Sequence, residues 1–114
     1  EFEFAGVPRP RASALLGMGA DGHFASLFPD APDLARGLDP SGRRAFVPVA
    51  TAASPHPRIS MTLPALLDSK AVLLLMFGEE KKAVYESARA DDSTLPVAHL
   101  LRQQQTPVHV FWAE

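Results

Sequence analysis

The residues best suited to chemistry stand together in Gly17-Met18-Gly19-Ala20-Asp21-Gly22-His23. Histidine titrates near neutrality, which makes His23 the natural general base of the chain. Asp21, two residues earlier, can orient the imidazole or influence its charge. The plainer alternative is a turn in which Asp21-Gly22 serves the backbone and His23 only caps it. Local chemistry leaves both open. Gly17, Gly19 and Gly22 also fit G-x-G-x-x-G, the fingerprint of a dinucleotide-binding turn. That reading requires a full helix after the glycines and then a second strand ending in an acid. Here Pro29, Pro32 and Pro40 interrupt the segment, and Asp39 leads only into Pro40-Ser41-Gly42. The dinucleotide reading is set aside.

Two cations are candidates for holding an anion. Lys81 lies three residues after Gly78, in the first turn of an expected helix. Free N–H groups and the helix dipole attract phosphate there. Glu79 and Glu80 add negative charge to the same turn, and Lys82 beside them reads as a solvated surface lysine. Arg58 opens the segment Arg-Ile-Ser-Met-Thr, and a guanidinium fork suits phosphate. The alternative for Arg58 is an edge-strand arginine in solvent. His23, His56, His99 and His109 include no pair at i, i+4, and the chain has no cysteine, so no metal spacing is present. Without cysteine there is also no disulfide and no thiol nucleophile. His56, His99 and His109 read as structural, and Ser26 lacks a nucleophile elbow.

These residues need a scaffold, and the pattern predicts an α/β domain. Residues 13–16 read as a strand running into the glycine turn, and residues 23–28 as a short helix stopped by Pro29. Residues 29–44 read as loop with one helical turn near Leu34. Residues 46–50 and 58–62 read as strands, with Pro48 placing the first at an edge or strand end. Residues 63–69 read as a helix capped by Thr62 with Pro64 in its first turn. Residues 71–77 are apolar on both faces, as in the middle of a parallel sheet. A helix over 79–90 follows. A second, over 95–104, is capped by Thr94, and a strand over 108–112 closes the chain.

The 114 residues carry 46% hydrophobic and 21% charged residues, enough apolar material for a core. The net charge of −2 and the lack of a basic stripe argue against a nucleic-acid partner. The uninterrupted apolar run at 71–77 is too short for a bilayer, and the first residues do not resemble a signal peptide. The reading is cytoplasmic, with neither a membrane nor a nucleic-acid partner.

The run from Gly17 to Pro29, Gly-Met-Gly-Ala-Asp-Gly-His-Phe-Ala-Ser-Leu-Phe-Pro, closely resembles the signature of 6-phosphogluconolactonases. The resemblance continues through Arg-Ile-Ser-Met-Thr-Leu-Pro-Ala-Leu-Leu from Arg58 and Gly-Glu-Glu-Lys-Lys-Ala-Val from Gly78. Leu-Pro-Val-Ala from Leu95 and the closing Val-His-Val-Phe-Trp complete it. The related glucosamine-6-phosphate deaminases carry a similar Gly-x-Asp-Gly-His block with a different, acid-containing continuation.

The resemblance implies a Rossmann-like parallel-sheet fold of the sugar-phosphate isomerase/deaminase type, present in part. Residues 1–114 would form the C-terminal portion of a single domain whose N-terminal half is absent. It implies hydrolysis of 6-phospho-D-glucono-1,5-lactone to 6-phospho-D-gluconate, a step of the oxidative pentose phosphate pathway, without cofactor or metal. His23 would be the general base and Asp21 its support. Arg58, Lys81, Gly19 and Gly22 would contact substrate, with backbone amides of the 19–23 turn helping to hold the oxyanion. The alternatives are an aminosugar-phosphate deaminase or isomerase, or a non-catalytic sugar-phosphate-sensing domain. Phe24 stands where these lactonases usually have threonine, and is expected to crowd the pocket beside His23 or alter a hydrogen bond there.

Overall fold

The computed structural model describes residues 10–114. Its parallel sheet has three strands in the order β1 (Ala14–Gly17), β4 (Val72–Phe77), β5 (Val108–Ala113). The apolar run of β4 takes the central place, as its composition predicts. Leu16 lies opposite Leu74, and Leu74 opposite Val110. A separate antiparallel hairpin joins β2 (Phe46–Val49) to β3 (Arg58–Met61). Pro48 is tolerated because both strands of such a ribbon have an open edge.

Helix α1 (Leu34–Leu38) is the single turn expected near Leu34. Helix α2 (Leu63–Leu67) begins where Thr62 Oγ1 accepts the Ala65 N–H at 3.3 Å, with Pro64 in the first turn. Helix α3 (Glu79–Ala88) starts at Gly78, whose φ of 89° suits glycine. The Gly78 carbonyl also accepts the Trp112 indole N–H at 2.8 Å, tying the β4–α3 corner to β5. Helix α4 (Pro96–Arg102) differs from expectation at its start. Leu95, not Thr94, occupies the cap position, and no side chain caps it. Ser93 Oγ instead accepts the Leu95 N–H at 3.3 Å.

One face of the sheet contributes Leu16, Val72, Leu74 and Met76 to the core, together with Val97 and Leu100 of α4. The other face differs from the sequence reading of β4 as buried on both sides. Leu75 and Phe77 are exposed, as are Leu15 of β1 and Phe111 of β5. Composition records that β4 is apolar all round; only the packing shows which face receives cover.

Residues 23–28 also differ from the expected short helix. They form tight turns, with Phe24 bridged to both Met18 and Leu27. The Leu27 N–H donates to the Phe24 carbonyl at 3.0 Å, and Ala25 sits at φ 52°. Positive φ is costly for alanine and incompatible with a right-handed helix. Phe24 is fully buried in the core. A Phe side chain is worth about 1.5–3 kcal/mol when it leaves water, so the turn is anchored from below.

His99 on α4 illustrates a structural histidine. Burial, and then the Arg102 charge, hold its pKa below 6.5. A depressed folded-state pKa means that the unfolded chain binds the proton more readily. The stability contribution is therefore complete above pH 6.5 and is lost as pH falls through the lowered value. His99→Gln is expected to flatten the loss of urea-unfolding stability between about pH 7 and 5. Parallel pH profiles of parent and variant check this.

Candidate active site

The turn after β1 brings Asp21 and His23 together. The carboxylate Oδ1 of Asp21 lies 2.6 Å from His23 Nδ1 and accepts the His23 backbone N–H at 3.1 Å. Burial raises the Asp21 pKa, but the hydrogen bonds from His23 and its charge together outweigh this and leave it below 3.8. An ionised carboxylate only accepts hydrogen bonds, so Nδ1 must carry the proton. Nε2 is then the nitrogen with the free lone pair, as a general base requires.

Glycine is required at two points of this turn for different reasons. An added Cβ at Gly19 would collide with the Nδ1–Cε1 edge of the imidazole and approach Asp21 Oδ1 to 2.9 Å. At Gly22 the constraint is φ of 82°, with Leu95 packed against the position. The Gly22 carbonyl accepts the Val97 N–H at 2.9 Å, so the turn is fastened to the start of α4.

Three of the turn amides expected to help hold an oxyanion are engaged within the turn itself. The Gly19 N–H donates to the His23 carbonyl at 2.9 Å, and the Gly22 N–H to the Gly19 carbonyl at 3.0 Å. The His23 N–H is taken by Asp21. These three donors shape the turn instead of facing a ligand.

His23 and Gly19 line a cleft of about 620 Å³ above the C-terminal ends of β1 and β4. Its volume lies in the range of small-molecule sites, about 300–1,000 Å³. The wall includes Met18 and Ala25 from the turn, Leu75 and Phe77 from β4, and Lys81 from the first turn of α3. Ligands of open α/β sheets bind at the carboxyl ends of strands. Lys81 therefore shares the cleft with His23. Lys82 does not: it is exposed, as expected of a surface lysine, and its ammonium sits 4.4 Å from the centre of the Trp112 ring in a cation–π contact.

Gly22 and Arg58, also expected to contact substrate, are not among the residues that line this cleft. Gly22 is a conformational residue for the reasons above. The Arg58 guanidinium instead lies 5.6 Å from the Phe28 ring centre. Phe24 does not reach the cleft either, since its ring is in the core; the expected crowding beside His23 does not occur. The aromatic ring that does meet the imidazole is Phe28, stacked at 4.2 Å between centroids with an interplanar angle of 27°. Its position five residues after His23 carries no sequence signal, because a tight turn, not a helix, brings the two together.

His56 and His109 are not among the residues that line the cleft. Among the described residues no group of three or more His, Asp or Glu side chains is placed to hold a metal ion. No helix among them is long and apolar enough to cross a membrane.

Known proteins resemble this chain in sequence and in fold. Residues 4–112 match the family model of glucosamine-6-phosphate isomerases/6-phosphogluconolactonase. A 6-phosphogluconolactonase of Mesorhizobium japonicum is 41% identical over 107 residues, which cover 94% of this chain and 45% of that protein. One from Caulobacter vibrioides is 44% identical over 107 residues, covering 92% and 45%. The crystal structure of a 6-phosphogluconolactonase from Shewanella baltica superposes with a TM-score of 0.91 at 35% identity, covering 99% of this chain and 48% of that one. The chain thus spans about half the length of the relatives it matches. With the parallel sheet, the Asp21–His23 turn and these matches together, the chain belongs to the glucosamine-6-phosphate isomerase/6-phosphogluconolactonase family.

Proposed function

We propose that the chain is the C-terminal portion of a cytoplasmic 6-phosphogluconolactonase. It would hydrolyse 6-phospho-D-glucono-1,5-lactone to 6-phospho-D-gluconate. The observation that carries this reading is the Asp21–His23 pair, with Nδ1 held at 2.6 Å, in a cleft that also contains Lys81. The family match supports the substrate class.

His23 Nε2 takes a proton from water as the water oxygen attacks the lactone carbonyl carbon. The carbonyl π pair moves onto oxygen, giving a tetrahedral oxyanion. When that pair returns, the bond from the carbonyl carbon to the ring oxygen breaks. The imidazolium returns its proton to the departing ring oxygen, which becomes a hydroxyl. The products are the carboxylic acid, which ionises, and regenerated imidazole. Asp21 keeps Nδ1 protonated and favours the imidazolium that forms in between. Lys81, at the N-terminal turn of α3, supplies positive charge for the phosphate.

The test is acid release from freshly prepared lactone, corrected for spontaneous hydrolysis. It uses this chain alone and joined to the unmatched half of the Mesorhizobium japonicum relative. Release above background by the joined protein supports the lactonase. Ammonia from glucosamine 6-phosphate, without acid release from the lactone, overturns it in favour of a deaminase.

Lys81→Ala in the joined protein is expected to raise KM roughly 10- to 100-fold, the value of a charge-assisted contact, with kcat little changed. A fall in kcat alone would remove Lys81 from the phosphate role.

A further inference from the structure

The hydrogen bond to Asp21 fixes one atom of the His23 ring but not its tilt about that atom. Two other contacts bear on the tilt. Gly19 leaves just enough room beside Nδ1 and Cε1, as the clash of an added Cβ shows. Phe28 stacks on the imidazole at 4.2 Å and 27°.

Phe28 is itself held. It is buried at 5% exposure and belongs to the core cluster. Its carbonyl accepts the Ala31 N–H at 3.1 Å. Strand β3 reaches the same loop twice: Arg58 lies over the Phe28 ring, and Ser60 Oγ accepts the Ser26 N–H at 3.1 Å. Ser60 is buried and also donates to the Met61 carbonyl at 2.9 Å, so its acceptor direction is set.

We infer that Phe28 is a positioning residue: it fixes the plane of the His23 imidazole, and β3 holds Phe28 through Arg58 and the Ser60–Ser26 hydrogen bond. The inference rests on His23 as general base for its effect on turnover, but not for its geometry. Arg58 thereby gains a role outside substrate contact. Its guanidinium covers the ring that aligns the base.

The test combines proton NMR of the His23 ring with kinetics, both in the joined protein. A stacked phenyl ring shields the imidazole protons, so a His23 ring resonance should lie upfield of its free position. Phe28→Leu keeps the site apolar and should return that resonance downfield. In the joined protein, Phe28→Leu should lower kcat about 2- to 10-fold, the worth of an aromatic pair, with KM nearly unchanged. Phe28→Tyr, which keeps the ring, should restore most of both signals. An unshielded His23 ring in the unmutated joined protein overturns the inference even if Phe28→Leu fails to fold. So does a Phe28→Leu protein with unchanged kcat, or one whose loss Phe28→Tyr shares in full. If His23→Ala keeps normal turnover, the general-base reading fails while the shielding measurement still decides the geometry.

Discussion

His23→Ala in the joined protein is expected to lower kcat by about 10²–10⁴-fold, the usual contribution of a positioned general base. KM should stay within a few-fold of the parent, because the phosphate contact assigned to Lys81 is untouched. The variant loses its imidazole stack on Phe28 and its contact to Asp21. Both contacts are partly solvent-exposed or small in energy, so stability should fall by only about 1 kcal/mol. Thermal unfolding beside the kinetics separates lost chemistry from lost fold. Near-parental turnover in a folded variant would remove His23 from the proton-transfer role.

Gly19→Ala should be nearly as damaging, although it removes no functional group. The new Cβ must occupy space held by the His23 ring and crowd Asp21 Oδ1. The backbone has little freedom to yield, since the Gly19 N–H and C=O are both engaged within the turn. The imidazole must therefore move, and displacement of about 1 Å at a catalytic group costs on the order of 10²-fold in rate. Overpacking should also cost about 1–3 kcal/mol of stability. The comparison is Gly17→Ala, where an added Cβ meets nothing within 4 Å. Kinetics together with the His23 NMR resonance check the argument. Gly19→Ala should shift the resonance and Gly17→Ala should leave it in place. A Gly19→Ala protein with parental kcat would mean that the turn adjusts without disturbing the base.

The uncovered face of the sheet bears on all of these measurements. Leu15, Phe77 and Phe111 are 69%, 58% and 52% exposed on strands that pair in parallel. Parallel sheets are ordinarily covered on both faces. Leu75 and Phe77 of that face also line the cleft, so the floor of the candidate site is continuous with it. This is why the kinetic tests use the joined protein.

The sequence by itself determined the order of the strands and of the helices from α1 to α4, but not the turns over 23–28, and it singled out the candidate base. Gly78, Pro64 and Pro96 mark helix starts through local backbone physics, and Thr62 caps α2 from its own position. The apolar run at β4 specifies a central strand. Asp21 and His23 are two residues apart, so their pairing is local and legible. Tertiary structure decided what local pattern leaves open. Phe24 and Phe28 have the same side chain four residues apart. Only the positive φ at Ala25 and the packing below the turn send the first into the core and the second against the imidazole. Lys81 and Lys82 are chemically identical neighbours, divided by which side of α3 meets the cleft and which meets Trp112. Arg58 reads from its type as an anion contact or an edge-strand arginine, and only the packing of β3 shows that it lies over Phe28. In each pair the residue type fixes what contacts are available, and long-range packing, which sequence separation does not encode, selects the one made.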